Sequence, residues 1–404
     1  MKRELLSTIM GALCLGAMVT YGVLATNQAA RAAADEMPSF KYDPDWPKPL
    51  PNGWTTGVIG AIYVTKDDHI WLATRPSAVT ASTETYHTDG LGDCCAPAPP
   101  VMEFDTAGNV VQAWGPIHMT DPKTRQQLLF GKQPAPVVSV DVWPSSEHAM
   151  FVDYKGNVWI SSQSPPSQLL KFTHDGKLIK RFGTQEGNSS ADTANFAGPT
   201  GVYVDPQTNE AYVSDGYRNR RVIVFDADTG AFKRMWGAYG KQPKDPQQKD
   251  AFGSDRMTDQ FSVTHCVVPT NDGLLYICDR VNSRVQVFKK DGTYVREVVF
   301  GEPPKPSDKI HLGAAWGVAF SPDKDQTYMY VADGTNKKIW IVRRADMKVL
   351  GTFGHGGRQG GEFETIHCLA VDSHGNIYAG ETLSGNRVQR FLFTGMRPVS
   401  ASAK

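Results

Sequence analysis

The sequence predicts an all-β chain folded as a six-bladed β-propeller, with the ring closed by a strand from its own N-terminus. Three observations carry this. Six segments repeat one plan: an apolar strand, an Asp/Gly turn, a second strand, a polar loop, a third strand, a turn and a fourth strand ending in Trp-Gly or Phe-Gly. Within each strand apolar and polar residues alternate at period two, and no stretch keeps a helical period. The sixth copy stops after its third strand, while a spare strand-like segment stands before the first copy.

Taken in order, residues 1–34 form a targeting segment. Lys2 and Arg3 precede an apolar run from Leu5 to Leu24, and A-x-A cleavage options follow at Ala30-Arg31-Ala32 and Ala32-Ala33-Ala34. This places the mature protein in a bacterial periplasm or outside the cell, with membrane contact only if the segment stays uncleaved. Cys14 follows Leu13 rather than a small residue, which argues against lipid attachment. The propeller is expected over residues 35–396 and a polar tail over 397–404.

The spare strand is Ser39 to Trp46; pairing with the last blade, it would remove an exposed edge. The six copies begin near Gly60, His148, Thr200, His265, Trp316 and His367. Their second strands read HIWLATR, NVWISSQ, EAYVSDGYRNR, LLYICDRVNSR, YMYVADGTNKK and NIYAGETLSGNR, and their third strands VMEFD, LLKFT, VIVFD, VQVFK, IWIVR and VQRFL. Asp215, Asp279 and Asp333 recur at one repeat position and are expected to brace turns. The loop 76–100 is long enough to serve as a lid and carries His87. His69, His174 and His374 fall at exposed turns and are expected to be solvated.

Charge excludes one class of partner. The chain has 42 basic and 42 acidic residues, with neither a basic stripe for nucleic acid nor an acidic block. The expectation is a monomer acting on a small-molecule or peptide-derived substrate. Beyond Cys14 there are Cys94, Cys95, Cys266, Cys278 and Cys368; a dense disulfide framework is excluded, and the odd number leaves at least one thiol unpaired or bonded to another chain. Cys94 and Cys95 form a vicinal disulfide or lie free in their loop. Cys266 and Cys368 each follow a histidine and, on the alternation of a strand, are expected to pack between blades.

The repeat also carries chemistry. His148, His265 and His367 each stand eight residues before the Gly of a tight turn: Gly156, Gly273 and Gly375. They occupy the innermost strand of blades two, four and six. Alternate blades lie ~120° apart around the channel, so three imidazoles from one level can meet on the axis. Three neutral imidazoles make a zinc-type site with an open fourth position, where a hydroxyl becomes more acidic or a carbonyl more electrophilic.

The third copy, PTGVYVDPQTNEAYVSDGYRNRRVIVFDADTGAFKRMWG, and the fourth, QFSVTHCVVPTNDGLLYICDRVNSRVQVFKKDGTYVRE, resemble the lyase domain of the peptidylglycine α-amidating enzyme, a six-bladed propeller of the NHL-repeat class. The similarity runs from about Gly57 to Phe391 and is strongest at YVSDGY and the three His segments. It implies zinc on His148, His265 and His367, catalytic Tyr217 and Arg75, and substrate-binding Arg280. It also implies cleavage of the C–N bond of a peptidyl α-hydroxyglycine to an amide and glyoxylate. The sequence departs from the family at Thr365, where the family has Met, and at Cys368, where an Asp helps to bind a structural calcium. The family's disulfide cysteines fall on Arg218, Tyr276 and Val287, and no monooxygenase domain accompanies the repeats. Two other readings remain: a propeller hydrolase such as a lactonase, and a non-enzymatic NHL-repeat binding protein. Lactonases of this architecture generally hold calcium through carboxylates and Asn, and a binding surface needs no His triad.

Overall fold

The structure, a computed structural model, describes residues 36–79, 94–120, 127–129, 143–144, 146–184, 186–187, 189–245, 259–301 and 312–399. The N-terminal segment expected to be a targeting signal, His87 and most of the long loop that carries it lie outside them.

Six four-stranded antiparallel sheets form the blades. Their innermost strands are Val58–Val64, Glu147–Val152, Pro199–Val204, Thr264–Pro269, Gly317–Phe320 and Ile366–Val371. Among the described residues there is no α-helix, only short 3-10 turns. Two pairs of short strands lie outside the blades, Trp54–Thr55 with Ala96–Pro97 and His118–Thr120 with Gln127–Leu129.

Each blade buries both faces against its neighbours, so the core is six apolar layers between sheets rather than one centre. Trp71, Val101 and Trp114 of blade one meet Val158, Ile160 and Phe172 of blade two in one such layer. Blades three and four meet through Tyr203, Tyr212, Trp236, Leu275 and Phe288.

The ring closes as the repeat predicts, with a shift in bounds. The N-terminal strand is Glu36–Asp43, paired antiparallel with Val388–Pro398 as the outermost strand of blade six. It ends before Trp46 because Pro44 has no N–H for the ladder, and because Asp43 turns its carboxylate to Arg390 at 2.5 Å. Its partner runs to Pro398, two residues into the stretch expected as a tail. The N-terminal segment locks both seams of blade six. Phe40 stacks on Phe353 of blade five at 4.8 Å, and Trp46 packs edge-on to Tyr378 of blade six at 4.8 Å and against Phe104 of blade one at 5.7 Å. Met37 and Trp46 are buried. Removing residues 36–46 forfeits on the order of 1.5–3 kcal/mol for each large buried side chain and exposes a strand edge. The expected result is a melting temperature lower by on the order of 10 °C, read by calorimetry. An unchanged transition would show that the ring closes without this strand.

Two local features differ from expectation. Cys266 does not merely pack between blades; it is bonded to Cys278 across the first two strands of blade four. The physical reason is a register shift: Thr264 pairs with Asp279 but Cys266 pairs with Cys278. A regular ladder starting from the same pair would set Cys266 against Ile277. Cys94 and Cys95 are joined as a vicinal pair, and Cys368 is free. His69 and His174 are not simply solvated either. Both turn to Glu103, the first through Nδ1 at 2.7 Å and the second through Nε2 at 3.6 Å, while the His174 ring rests edge-on against Trp71.

Candidate metal centre and its surroundings

The same register shift recurs at the histidines. It falls between Glu147 and Met150, between Thr264 and Cys266, and between Ile366 and Cys368, so each of the three histidines sits in a β-bulge of an innermost strand. A bulge re-aims a side chain out of the regular alternation. It turns all three imidazoles onto the propeller axis, with their ligand atoms within 4.8 Å of one another. Ring centroids lie 4.8 Å apart for His148–His265 and His148–His367, and 5.0 Å for His265–His367.

Between the histidines, the same repeat position is held by Gly60, Thr200 and Trp316 in blades one, three and five. Two of them orient a ring. His148 Nδ1 donates to the carbonyl of Thr200 at 3.0 Å and His265 Nδ1 to that of Trp316 at 2.5 Å. In each case the next blade around the ring supplies the carbonyl. Among the described residues the Nδ1 of His367 makes no hydrogen bond. In His148 and His265, with Nδ1 carrying the proton, Nε2 keeps its lone pair, as a metal ligand requires.

Electrostatics keep the rings neutral. Burial lowers the pKa of His148 well below the ordinary value, and His265, His367 and Arg75 lower it further. His265 is depressed by burial, then by Arg280 and His367. His367 is brought down to about 3 by burial, then by Arg75 and Arg280. A neutral, converging imidazole set suits zinc, whereas calcium takes oxygen ligands.

Tyr217 and Arg280 reach this cluster from the loops after the second strands, and Arg75 from the last position of its second strand. Tyr217 is aimed by a closed turn. Asp215 accepts the backbone N–H of Ala197 at 2.9 Å and the Asn219 amide at 2.7 Å, and pairs with buried Arg221 at 2.9 Å. Gly216 is required there, because a Cβ would run into the Thr264 carbonyl of blade four. The Tyr217 hydroxyl lies 3.1 Å from His148 Nε2, 3.5 Å from His265 Nε2 and 3.4 Å from Arg280 Nη1. Arg75 closes the other side. Its Nε donates to the Glu147 carbonyl at 2.7 Å, and burial lowers its pKa, with Tyr217 and Glu147 acting in the opposite sense.

The recurring aspartates brace turns as expected. Asp279 takes Arg284 at 2.7 Å and the Ser262 N–H at 2.7 Å; Asp333 takes the Asn336 N–H at 2.8 Å. Glu381 fills the same place in blade six, paired with Arg387 at 2.6 Å. Thr365, where the resembled family has Met, is buried, with its hydroxyl donated to the Glu364 carbonyl at 2.7 Å.

Beneath the imidazoles, on the side away from Tyr217, a cavity of about 700 Å³ runs down the axis between the innermost strands. Its wall includes the three histidines, Tyr63, Phe151 and Tyr203.

Sequence reasoning did not find Trp316, Thr200 or Glu147 as parts of the site. Trp316 and Thr200 stand at the histidine register in odd-numbered blades, a signal that alignment of the repeats already contained. Glu147 precedes a ligand and is buried, with Trp143 Nε1 donating to its carboxylate at 2.6 Å.

Fold and site together define a six-bladed propeller with a buried trihistidine centre flanked by a tyrosine and two arginines. No family model matches the chain. It is similar to peptidylglycine alpha-amidating monooxygenase of Rattus norvegicus, 29% identical over 61% of this chain and 23% of that protein. It is also similar to peptidyl-alpha-hydroxyglycine alpha-amidating lyase 2 of Drosophila melanogaster, 26% identical over 60% of this chain and 53% of that one. NHL repeat-containing protein 3 of Homo sapiens is 27% identical over 49% of this chain and 48% of that one. The chain thus spans about a quarter of the length of the amidating monooxygenases it matches. The resemblance seen in the repeats is borne out: the relatives carry the names of amidating enzymes and NHL repeat proteins, and the fold is a six-bladed propeller.

Proposed function

We propose that this protein is a zinc-dependent carbon–nitrogen lyase that splits an N-acyl-α-hydroxyglycine or a related hydroxy acid into an amide and glyoxylate. The observation that carries the proposal is the meeting of the Tyr217 hydroxyl, two imidazole Nε2 atoms and the Arg280 guanidinium within 3.5 Å. Zinc on His148, His265 and His367 would supply a Lewis acid that makes a nearby hydroxyl more acidic. The surrounding residues do the rest. Arg75 and Arg280 leave the site strongly positive, which favours a substrate carrying a carboxylate. Tyr217 is placed to hold and move the substrate's hydroxyl proton. In the reaction the O–H and C–N bonds break, a C=O bond and an N–H bond form, and the proton passes from oxygen to nitrogen. No oxidant, reductant or water is consumed.

An exported setting fits the Cys266–Cys278 bond, because such bonds persist in oxidising compartments. The test is incubation of zinc-loaded protein with an N-acyl-α-hydroxyglycine. The expected result is glyoxylate and amide in equal amounts. No glyoxylate from fully metallated protein, across a panel of acyl groups, would sink the proposal.

A further inference from the structure

Arg280 poses a problem that the site as described does not solve. It is 2% exposed, and its Nε and Nη2 have no hydrogen-bond partner. A buried cation is normally held by a carboxylate. The two acids nearest in the repeat plan are committed elsewhere, Asp279 to Arg284 and Asp215 to Arg221. Among the described residues its one side-chain hydrogen bond is the long one to Tyr217, 3.4 Å.

What holds the guanidinium is the face of an indole. Its central carbon lies 4.5 Å from the Trp316 ring centroid and 5.5 Å from that of Tyr217. Trp316 is itself fixed. It is 4% exposed, and its Nε1 donates to the Gly313 carbonyl at 2.8 Å. Gly313 lies against the Arg280 main chain so closely that a Cβ would collide with the Arg280 carbonyl. Trp316 and Arg280 are thereby linked through Gly313 as well as through their side chains.

We propose that Trp316 is the positioning residue of the anion site. It holds Arg280 by its π face, so that no carboxylate among the described residues occupies the guanidinium and its unpaired N–H groups are left for a substrate carboxylate. The inference rests on the lyase reading for the identity of the substrate, but the anion site can be tested without turnover. A cation–π contact attracts the charge without using its hydrogen-bond donors, and a desolvated one contributes enough to change binding about 10-fold or more. An acid in the same place would neutralise the cation and compete with substrate.

The experiment is calorimetric titration of glycolate, a non-cleavable hydroxy-carboxylate, into zinc-loaded wild type, Trp316→Tyr, Trp316→Phe, Trp316→Leu, Arg280→Ala and the double variant Trp316→Leu/Arg280→Ala. Affinity is expected to fall stepwise from Trp to Tyr to Phe to Leu, by about 10-fold in all. Arg280→Ala should lose more, and the double variant should match Arg280→Ala, because Trp316 acts through the arginine. Zinc content and melting temperature of the Phe and Tyr variants should stay near wild type, which separates the effect from misfolding. Glycolate affinity unchanged in Trp316→Phe and Trp316→Leu overturns the proposal. So does a double variant weaker than Arg280→Ala by the full Trp316→Leu factor, or a wild type that binds no glycolate. Glycolate binding with the expected pattern, but no release of glyoxylate from any N-acyl-α-hydroxyglycine, leaves the anion site standing and removes the lyase reading.

Discussion

Alanine at any one of His148, His265 or His367 is expected to strip the protein of its metal. Each imidazole comes from a different blade, and each is presented by a bulge in an innermost strand. Among the described residues no neighbouring side chain can replace a lost ligand. Among the described residues the three histidines are the one group of His, Cys, Asp and Glu whose ligand atoms converge. Zinc in protein sites with an open position keeps three protein ligands. Loss of an outer supporting partner alone weakens metal binding about 10–100-fold, and loss of a ligand should exceed that. The measurement is zinc per chain after dialysis against a weak chelator. Wild type should retain about one equivalent and each single variant close to none. Full zinc occupancy in the triple alanine variant would show that the metal is held elsewhere.

Tyr217→Phe should abolish most turnover and leave the metal in place. The substitution keeps the ring, which packs edge-on to His148 at 5.2 Å and His265 at 6.0 Å. It removes only the hydroxyl that lies between two imidazoles and Arg280. General acid–base groups of this kind contribute on the order of 10²–10⁴-fold in rate. Arg75→Ala provides the contrast. The residue is half-buried, and its charge acts on His148, His367 and Tyr217, so its loss should raise KM and lower kcat together. Steady-state glyoxylate release with any substrate the wild type turns over separates the two. If Tyr217→Phe keeps wild-type turnover with zinc bound, the proton moves by another route, and Thr365 in place of Met becomes the first place to look for a different reaction.

How much of this was legible in the sequence can be followed residue by residue. The second strands from HIWLATR to NIYAGETLSGNR, read at period two, were enough for the blades, because side-chain alternation in a strand is a local property. The missing fourth strand of the sixth copy pointed to the N-terminal segment, because an unpaired edge in a closed ring must be filled. Its bounds slipped by three residues since Pro44 and the Asp43–Arg390 pair act where alternation continues. Roles for Tyr217, Arg75 and Arg280 came from resemblance, and the structure gathers all three around the histidines.

What the chain by itself determined is the ring, its closure and the level at which three histidines face the axis. These follow from a repeat, and in a repeat fold each unit's place is set by counting. What only the tertiary structure decided lies within the strand ladders and between the blades. The bulges at His148, His265 and His367 shift the ladder by one residue, which pairs Cys266 with Cys278. Carbonyls of Thr200 and Trp316 turn the imidazoles of the preceding blades, and the indole of Trp316 takes the place that an acid would have filled beside Arg280. No sequence period encodes these contacts, because they depend on the angle and distance at which one twisted sheet packs against the next.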